Sequence, residues 1–368
     1  MRSRLTDLLG IDVPIIQAPM AGAQGAALAI AVAEAGGLGS IPSAVYTPNE
    51  LRAELTAFRA ATSRPVNVNF FCHEPPAPDA ARAEAWLGML ESYFAEHGLE
   101  PPAVPSQGGR AAFDEPMCEL VEDLRPEVVS FHFGLPGAAF LDRVKAAGAL
   151  VMSSATTVAE ARWLETNGCD VVIAQGAEAG GHRGVFLPPP LGGAMPMSTA
   201  GGIATQVGTF ALVPQVVDAV TVPVVAAGGI ADGRGIAAAL VLGAAGVQIG
   251  TAYLRCPESA ISDLHRRALT AARDDGTALT NVFTGRPARS IVNRLVAELG
   301  PMAPAAPSFP LAAPMLAPLR AAAESAGSSD FSSLWAGQAA PLTRELPARE
   351  LTTLLAREAQ ERLDAPLG

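Results

Sequence analysis

The sequence has little of several things, and each shortage excludes something. Basic residues are outnumbered by acidic ones, 25 to 36, for a formal net charge of −11. Nucleic acids and anionic membranes select basic surfaces, so neither is an expected partner. A small anionic substrate stays compatible, because local fields outweigh distant charges at cellular salt. The four cysteines, Cys72, Cys118, Cys169 and Cys256, are scattered, with no CxxC and no zinc spacing. No metal site or disulfide framework is expected, only free thiols in a reducing compartment. No uncharged apolar run reaches the ~20 residues of a membrane span. The N-terminal stretch MRSRLTDLLGIDVPIIQAPM has no apolar segment ahead of a small-residue cleavage site. A cytoplasmic protein is therefore expected. Aromatics make up only 5% of a chain that is 49% apolar, which suits a close-packed α/β protein with small residues where helices meet strands.

What is present is a rhythm. A short apolar run ends in Gly, Ser, Asn or Gln, and an Ala-rich helical stretch follows. The runs are Pro14–Gln17, Gly37–Ile41, Val66–Phe70, Val128–Phe133, Leu150–Ser153, Asp170–Ala174, Pro223–Ala227 and Gly246–Ile249. They are continuously apolar rather than alternating, as strands buried on both faces require. Helical patterns at Gln24–Glu34, Pro48–Ala60, Thr157–Thr166 and Asp232–Leu242 lie between them. Eight such units predict an α/β fold of the TIM (β/α)8 barrel type over residues 1–254. An open doubly wound sheet is the main rival. The first run, however, ends in Gln17-Ala18-Pro19-Met20-Ala21-Gly22, not in a Gly-rich phosphate turn. Two stretches break the rhythm. Residues 73–113, rich in Pro and charge, form an inserted excursion after strand three, with a helical piece at Ala80–His97. Residues 255–368 form a C-terminal helical extension that packs over the barrel mouth or mediates dimerisation, so monomer and homodimer both stay open.

Polar residues gather at the strand ends, which converge on one face of a barrel. They include Asn69, His132, Ser153, Ser154, Gln175 and Thr251. The glycine turns after strands seven and eight, AAGGIADGRG and GVQIGT, let backbone approach a phosphate near a helix N-terminus. Read alone, each is only a tight turn. The loop QGAEAGGHRG after strand six sets His182 among glycines that allow close ligand approach. In that loop Arg183 is expected to be structural, tying the loop to a carboxylate, and Glu178 is either that carboxylate or a solvated charge. In SFHFGLP the period-two alternation puts Phe131 and Phe133 on one face and His132 on the other, pointing into the barrel. The bland alternative is a hydrogen-bonded core histidine. His73 and His265 read as structural.

QAPMAG, VSFHFGLP, QGAEAGGHRG and AAGGIADGRGIAAALVLGAAGVQIGTAYL together resemble the nitronate monooxygenases (2-nitropropane dioxygenases), in their class I bacterial form. Further likeness lies in TGRPARSIVN and LWAGQ. The resemblance implies a barrel that binds FMN and oxidises alkyl nitronates, such as propionate 3-nitronate, with O2 to a carbonyl compound and nitrite. It implies flavin contacts from Asn69 and Gln175, a phosphate approach at Gly180, Gly181, Gly228, Gly229, Gln248, Ile249, Gly250 and Thr251, and Ala18, Pro19 and Met20 against the flavin ring. It makes His182 and His132 the catalytic candidates, with Met20 and Tyr253 also in the substrate pocket. The family's other pocket tyrosines are expected to be replaced by Phe or by Trp335. FMN rather than FAD is expected, because no separate dinucleotide fingerprint accompanies the phosphate glycines. The rival readings are an FMN-dependent NAD(P)H enoyl-thioester or quinone reductase of the same barrel superfamily, and a flavin-free barrel serving as a binding module.

Overall fold

The apolar runs become short parallel strands. In chain order these are β1 (Ile15–Gln17), β2 (Gly39–Pro42), β3 (Val66–Phe71), β4 (Val128–His132), β5 (Leu150–Ala155), β6 (Val171–Gln175), β8 (Val224–Ala227) and β9 (Gly246–Ile249). Between β6 and β8 lies β7 (Gly181–His182), which belongs elsewhere. In the computed structural model, which describes residues 1–77, 79–105, 110–188 and 203–365, the eight strands hydrogen-bond in the order β1-β9-β8-β6-β5-β4-β3-β2. A parallel bridge between Ile16 and Leu38 joins β1 to the chain entering β2. Gln17 N–H donates to Leu38 O and Leu38 N–H to Ile15 O, each at 2.9 Å. The sheet thus closes on itself as a (β/α)8 barrel, and no doubly wound sheet forms.

Burial on both faces explains the unbroken apolar runs. Inside, Ile16, Leu38, Val128, Met152, Val171, Ile173 and Val225 fill the barrel floor with Leu5 and Leu9 of the helix Arg4–Leu9. That helix, α1, is absent from the sequence reading. It plugs the bottom so tightly that a Cβ on Gly246 would lie 2.4 Å from Leu5 Cδ2. Outside, the barrel strands meet α2 (Ala26–Glu34), α3 (Pro48–Ala61), α5 (Glu115–Leu124), α6 (Ala138–Ala146), α7 (Val158–Thr166), α8 (Thr209–Val217) and α9 (Gly233–Val241). The last helix, α13 (Ala348–Asp364), packs on α2 and α9 through Leu351, Leu355 and Ala359. The extension therefore supplies a helix to the outer ring as well as a covering.

The excursion and the extension are one structure. The excursion contains α4 (Ala80–Glu96), and its residues 78 and 106–109 lie outside the described residues. Trp86, Leu90 and Phe94 of α4 share a core with Val282, Phe283, Leu295, Leu316 and Leu319. Those partners come from the extension, which holds α10 (Asp263–Thr270), β10 (Thr277–Thr280), β11 (Ala288–Ile291), α11 (Arg294–Leu299) and α12 (Ala312–Ser325). A core of this kind, burying a Trp and several Leu and Phe, stabilises by roughly 1.5–3 kcal/mol per large side chain. β10 pairs with β11, and β11 with β7, in a small antiparallel sheet. Among the described residues no helix is long and apolar enough to cross a membrane.

Candidate active site

The strand ends and the roof enclose a cavity of about 570 Å³. Ala18, Pro19 and Met20 after β1, Asn69 on β3, His132 on β4 and Gln175 on β6 line it. So do Gly180, Gly181 and His182, then Gly228, Gly229, Gln248, Gly250 and Thr251. Fourteen sequence-predicted residues thus meet in one space. Ile249 does not line it, being 1% exposed in the strand core.

Tyr253 is a correction. It is fully buried in the outer core, and its hydroxyl lies 2.8 Å from Thr352 Oγ1 on α13. Thr352 already donates to Ala348 O at 2.8 Å, so Tyr253 is the donor in this pair. The short 3-10 turn after β9 carries the side chain outward, away from the cavity. Burial pushes its phenol pKa up. Trp335 does line the cavity, its ring centroid 5.3 Å from that of His182, and Phe71 joins it. Phe133 is a second correction. β4 ends at His132, and Phe133 adopts φ 73°, a left-handed value rarely tolerated by a bulky residue. This breaks the alternation and turns the Phe133 ring toward His182 and Phe309, at 6.1 and 5.6 Å between centroids, while Phe131 stays in the outer core.

The His182 loop is held by backbone pairing that the sequence does not advertise. His182 and Gly181 form β7, in register with Ala288 and Arg289 of β11. Gln175 spans the loop: Nε2 donates to His182 O at 3.0 Å, and Oε1 accepts from Gly184 N–H at 2.8 Å. Arg183 is 1% exposed and structural, as expected, but among the described residues it binds no carboxylate. Its guanidinium donates to the carbonyls of Gly176 and Gln175 and to Gln206 Oε1. Burial lowers its pKa to about 10. Glu178 instead accepts from Thr209 N–H at 2.7 Å and from its Oγ1 at 2.8 Å, capping α8. Thr209 Oγ1 lies 3.0 Å from Gly228 O, so the cap also touches the glycine turn.

Of the three histidines that line the cavity, His132 and His182 are in different states of engagement. Both ring nitrogens of His132 are occupied. A carbonyl only accepts, so Nε2 carries the proton and donates to His182 O at 3.1 Å, while Nδ1 accepts from Ser154 Oγ at 2.6 Å. Burial, then Arg286, lowers its pKa to about 3. Among the described residues His182 engages only its Nε2, which lies 2.9 Å from Thr284 Oγ1. Its pKa is held well below the ordinary value by burial first, then by Arg110, His132, Arg286 and His73. Both imidazoles are neutral at pH 7. His265, expected to be structural, also lines the cavity, with Nε2 3.1 Å from Trp335 O.

Arg110, Arg286 and Arg320 are functional candidates that the sequence reading passes over. Arg110 and Arg320 line the cavity. Arg286 stacks over Phe133, 3.8 Å from its ring centroid, and donates to Val185 O. Burial lowers its pKa to about 10. For Arg286 alone a signal was available, in the TGRPARS likeness.

The residues present fit a flavin. Gln248 Oε1 is buried without a hydrogen-bond partner, and an unpaired buried acceptor calls for a donor from a ligand. Gly228 and Gly229 adopt φ 117° and 71°, and a Cβ on Gly228 would sit 2.8 Å from Thr209 Oγ1. These turns need glycine and leave peptide edges open to a phosphate. The neighbouring α9 is not the anion site that the sequence suggests. Asp232 caps it, accepting from the N–H groups of Arg234 at 3.0 Å and Gly235 at 3.2 Å. Thr251 Oγ1 accepts from Gly337 N–H at 2.9 Å, which leaves its own proton for a ligand. Among the described residues no three His, Cys, Asp or Glu side chains gather as metal ligands would.

Known proteins match this chain over nearly its whole length. The profile of a family described as nitronate monooxygenase matches residues 2–358. A nitronate monooxygenase from Pseudomonas aeruginosa is 45% identical over 97% of this chain and 99% of its own length. The crystal structure of a nitroalkane oxidase from Streptomyces ansochromogenes is similar at a TM-score of 0.86 and 41% identity, covering 97% of this chain and 98% of that one. FabK from Thermotoga maritima is similar at 0.72 and 30%, covering 99% and 98%.

Proposed function

The chain belongs to the nitronate monooxygenase family and is a flavin-dependent oxidoreductase, and from that premise we propose that it binds FMN and oxidises alkyl nitronates with O2 to a carbonyl compound and nitrite. The observation that carries this reading is the charge around His182. What holds it neutral is its burial and the neighbouring Arg110, His132, Arg286 and His73, and the cavity is lined by Arg110 and Arg320 together with one carboxylate, Glu324. Neutral imidazoles with two arginines against one carboxylate in the cavity lining suit an anion that has already lost its α-proton.

FMN would lie with its phosphate on Gly228, Gly229, Gly250 and Thr251, its ribityl chain and ring edge near Gln248, Asn69 and Gln175, and its ring against Ala18, Pro19 and Met20. When bound it supplies the electron acceptor for substrate and the donor for O2. The protein orients the nitronate and excludes competing water. His182 presents its free Nδ1 to the substrate, and Thr284 governs what that nitrogen does. The hydroxyl has one proton, which goes either to His182 Nε2 at 2.9 Å or to Arg286 O at 3.4 Å. In the first case Nδ1 bears hydrogen and donates to a nitro oxygen. In the second Nε2–H donates to Thr284 and Nδ1 accepts, ready to take an α-proton from a neutral nitroalkane. His132, with both nitrogens engaged, positions the His182 main chain.

Oxygen uptake by the flavin-loaded enzyme with propionate 3-nitronate, run beside anaerobic mixing with NADH and NADPH, tests the reading. Rapid O2 consumption with nitrite release, and released FMN on denaturation, is the expected result. Rapid flavin bleaching by a pyridine nucleotide with no nitronate turnover would replace it with the reductase reading. Released FAD would overturn the cofactor.

A further inference from the structure

Two adjacent serines on β5 take different partners, as alternation along a strand allows. Ser153 ties the strand to the turn after β4, donating to Gly134 O at 2.8 Å. Ser154 is buried, lines the cavity and has one partner among the described residues, His132 Nδ1 at 2.6 Å. His132 is neutral and carries one ring proton, and its Nε2 faces the carbonyl oxygen of His182 at 3.1 Å. Only the tautomer with hydrogen on Nε2 makes that contact a bond. The other tautomer would set two acceptors against each other. The bare Nδ1 then needs a donor, and the Ser154 hydroxyl is the one within reach. Gly184 meets the same pair. A Cβ there would lie 2.6 Å from Ser154 Oγ and 2.9 Å from His132 Cε1. The loop that carries His182 therefore rests on the Ser154–His132 pair at two points, the His182 carbonyl and Gly184. This glycine is small for the sake of a protein contact rather than a ligand.

Resting on the nitronate reading above, we propose that Ser154 is a positioning residue: its hydroxyl selects the tautomer of His132, and that tautomer holds the His182 main chain and with it the imidazole that meets the substrate. The order of donation is Ser154 O–H to Nδ1, then Nε2–H to His182 O, so no proton leaves the pair. Gln175 Nε2 reaches the same carbonyl at 3.0 Å. The peptide thus keeps one bond when Ser154 is lost, and the loop loosens rather than collapses. A small misplacement of a group that meets the reacting atoms lowers the rate without removing the group.

The test uses flavin-loaded wild type, Ser154→Ala, Ser154→Thr, His132→Ala and the variant that combines Ser154→Ala with His132→Ala. It reads kcat/KM on ethyl nitronate beside long-range proton–nitrogen correlation spectra of isotope-labelled histidine, the His132 signals being those lost in His132→Ala. In the wild type His132 should show a protonated Nε2 and a bare Nδ1. Ser154→Ala should mix the two tautomers and lower kcat/KM by about three- to tenfold, at unchanged flavin content. Ser154→Thr keeps the hydroxyl, and should keep the tautomer and recover part of the rate. Adding Ser154→Ala to His132→Ala should cost less than about a further twofold, because the serine then has nothing to act through. A protonated Nδ1 in the wild type, or an unchanged tautomer in Ser154→Ala, would overturn the proposal. Full additivity of the two changes, or loss of flavin in Ser154→Ala, would overturn it in favour of direct contact with substrate or flavin. A wild type without nitronate turnover would remove the nitronate reading, and the spectra would still decide what Ser154 does to His132.

Discussion

His132 and His182 are joined ring to main chain: the Nε2–H of His132 donates to the carbonyl oxygen of His182 at 3.1 Å, the same oxygen that Gln175 Nε2 reaches at 3.0 Å. One histidine thereby holds the peptide of the other, and the two side chains take different parts. Replacing His132 with Ala should lower kcat/KM on ethyl nitronate by about five- to tenfold, the worth of one hydrogen bond. The shape of the pH profile should be preserved, and His132→Gln should recover part of the rate. A loss as deep as that of a His182 variant would put His132 in contact with the reacting atoms.

His182→Asn separates two roles by substrate charge. Neutral nitroethane needs a base for its α-proton, and its turnover should fall by about a hundredfold or more. Ethyl nitronate has no such proton and should be hit less, chiefly in KM. Stopped-flow flavin reduction at matched flavin content reads both. Wild-type rates on both substrates would take His182 out of the mechanism.

Four histidines are buried in the neutral form. Burial lowers His132 to about 3, His73 to about 4 and His265 to about 4, and holds His182 well below 6.5. The unfolded chain takes up these protons near pH 6.5, whereas the folded chain does not. Between those values the unfolded state binds more protons, so stability rises with pH. It should be complete above pH 6.5 and decline as pH falls toward 4, by up to about 1.4 kcal/mol per pH unit for each group. Thermal melts across pH 4–8 measure this directly, and a Tm that stays flat below pH 6.5 would show that these histidines do not remain neutral.

Tyr253→Phe distinguishes a pocket residue from a structural one. The hydroxyl is bonded to Thr352 behind the barrel wall, so kcat/KM should change by less than about twofold. Stability should drop by about 1 kcal/mol. A large activity loss with unchanged Tm would return Tyr253 to the substrate pocket.

The barrel was legible because its strands are buried on both faces, which leaves unbroken runs such as Val66–Phe71 for any reading to find. The glycine turns and His182 were legible because a ligand's approach demands small residues in sequence. Arg110 and Arg320 were not, since they lie far apart in the chain and only the roof brings them to one cavity. The direction of Tyr253 turned on a single 3-10 turn, and that of Phe133 on one left-handed φ. Neither leaves a periodic mark in the sequence.

The roof is spliced from the excursion and the extension, and this sets an order of events during synthesis. When residue 254 leaves the ribosome all eight barrel strands exist, yet α4 has no partners for Trp86, Leu90 and Phe94. The strand bearing His182 has nothing to pair with until residues 288–291 follow it. The ring of outer helices stays one member short until Ala348–Asp364 arrives. A nascent chain halted at 254 thus has the glycine turns and strand ends with neither the clamp on its central histidine nor the wall that carries Arg320, and the pocket is finished only well beyond the last barrel strand, at about Ala339.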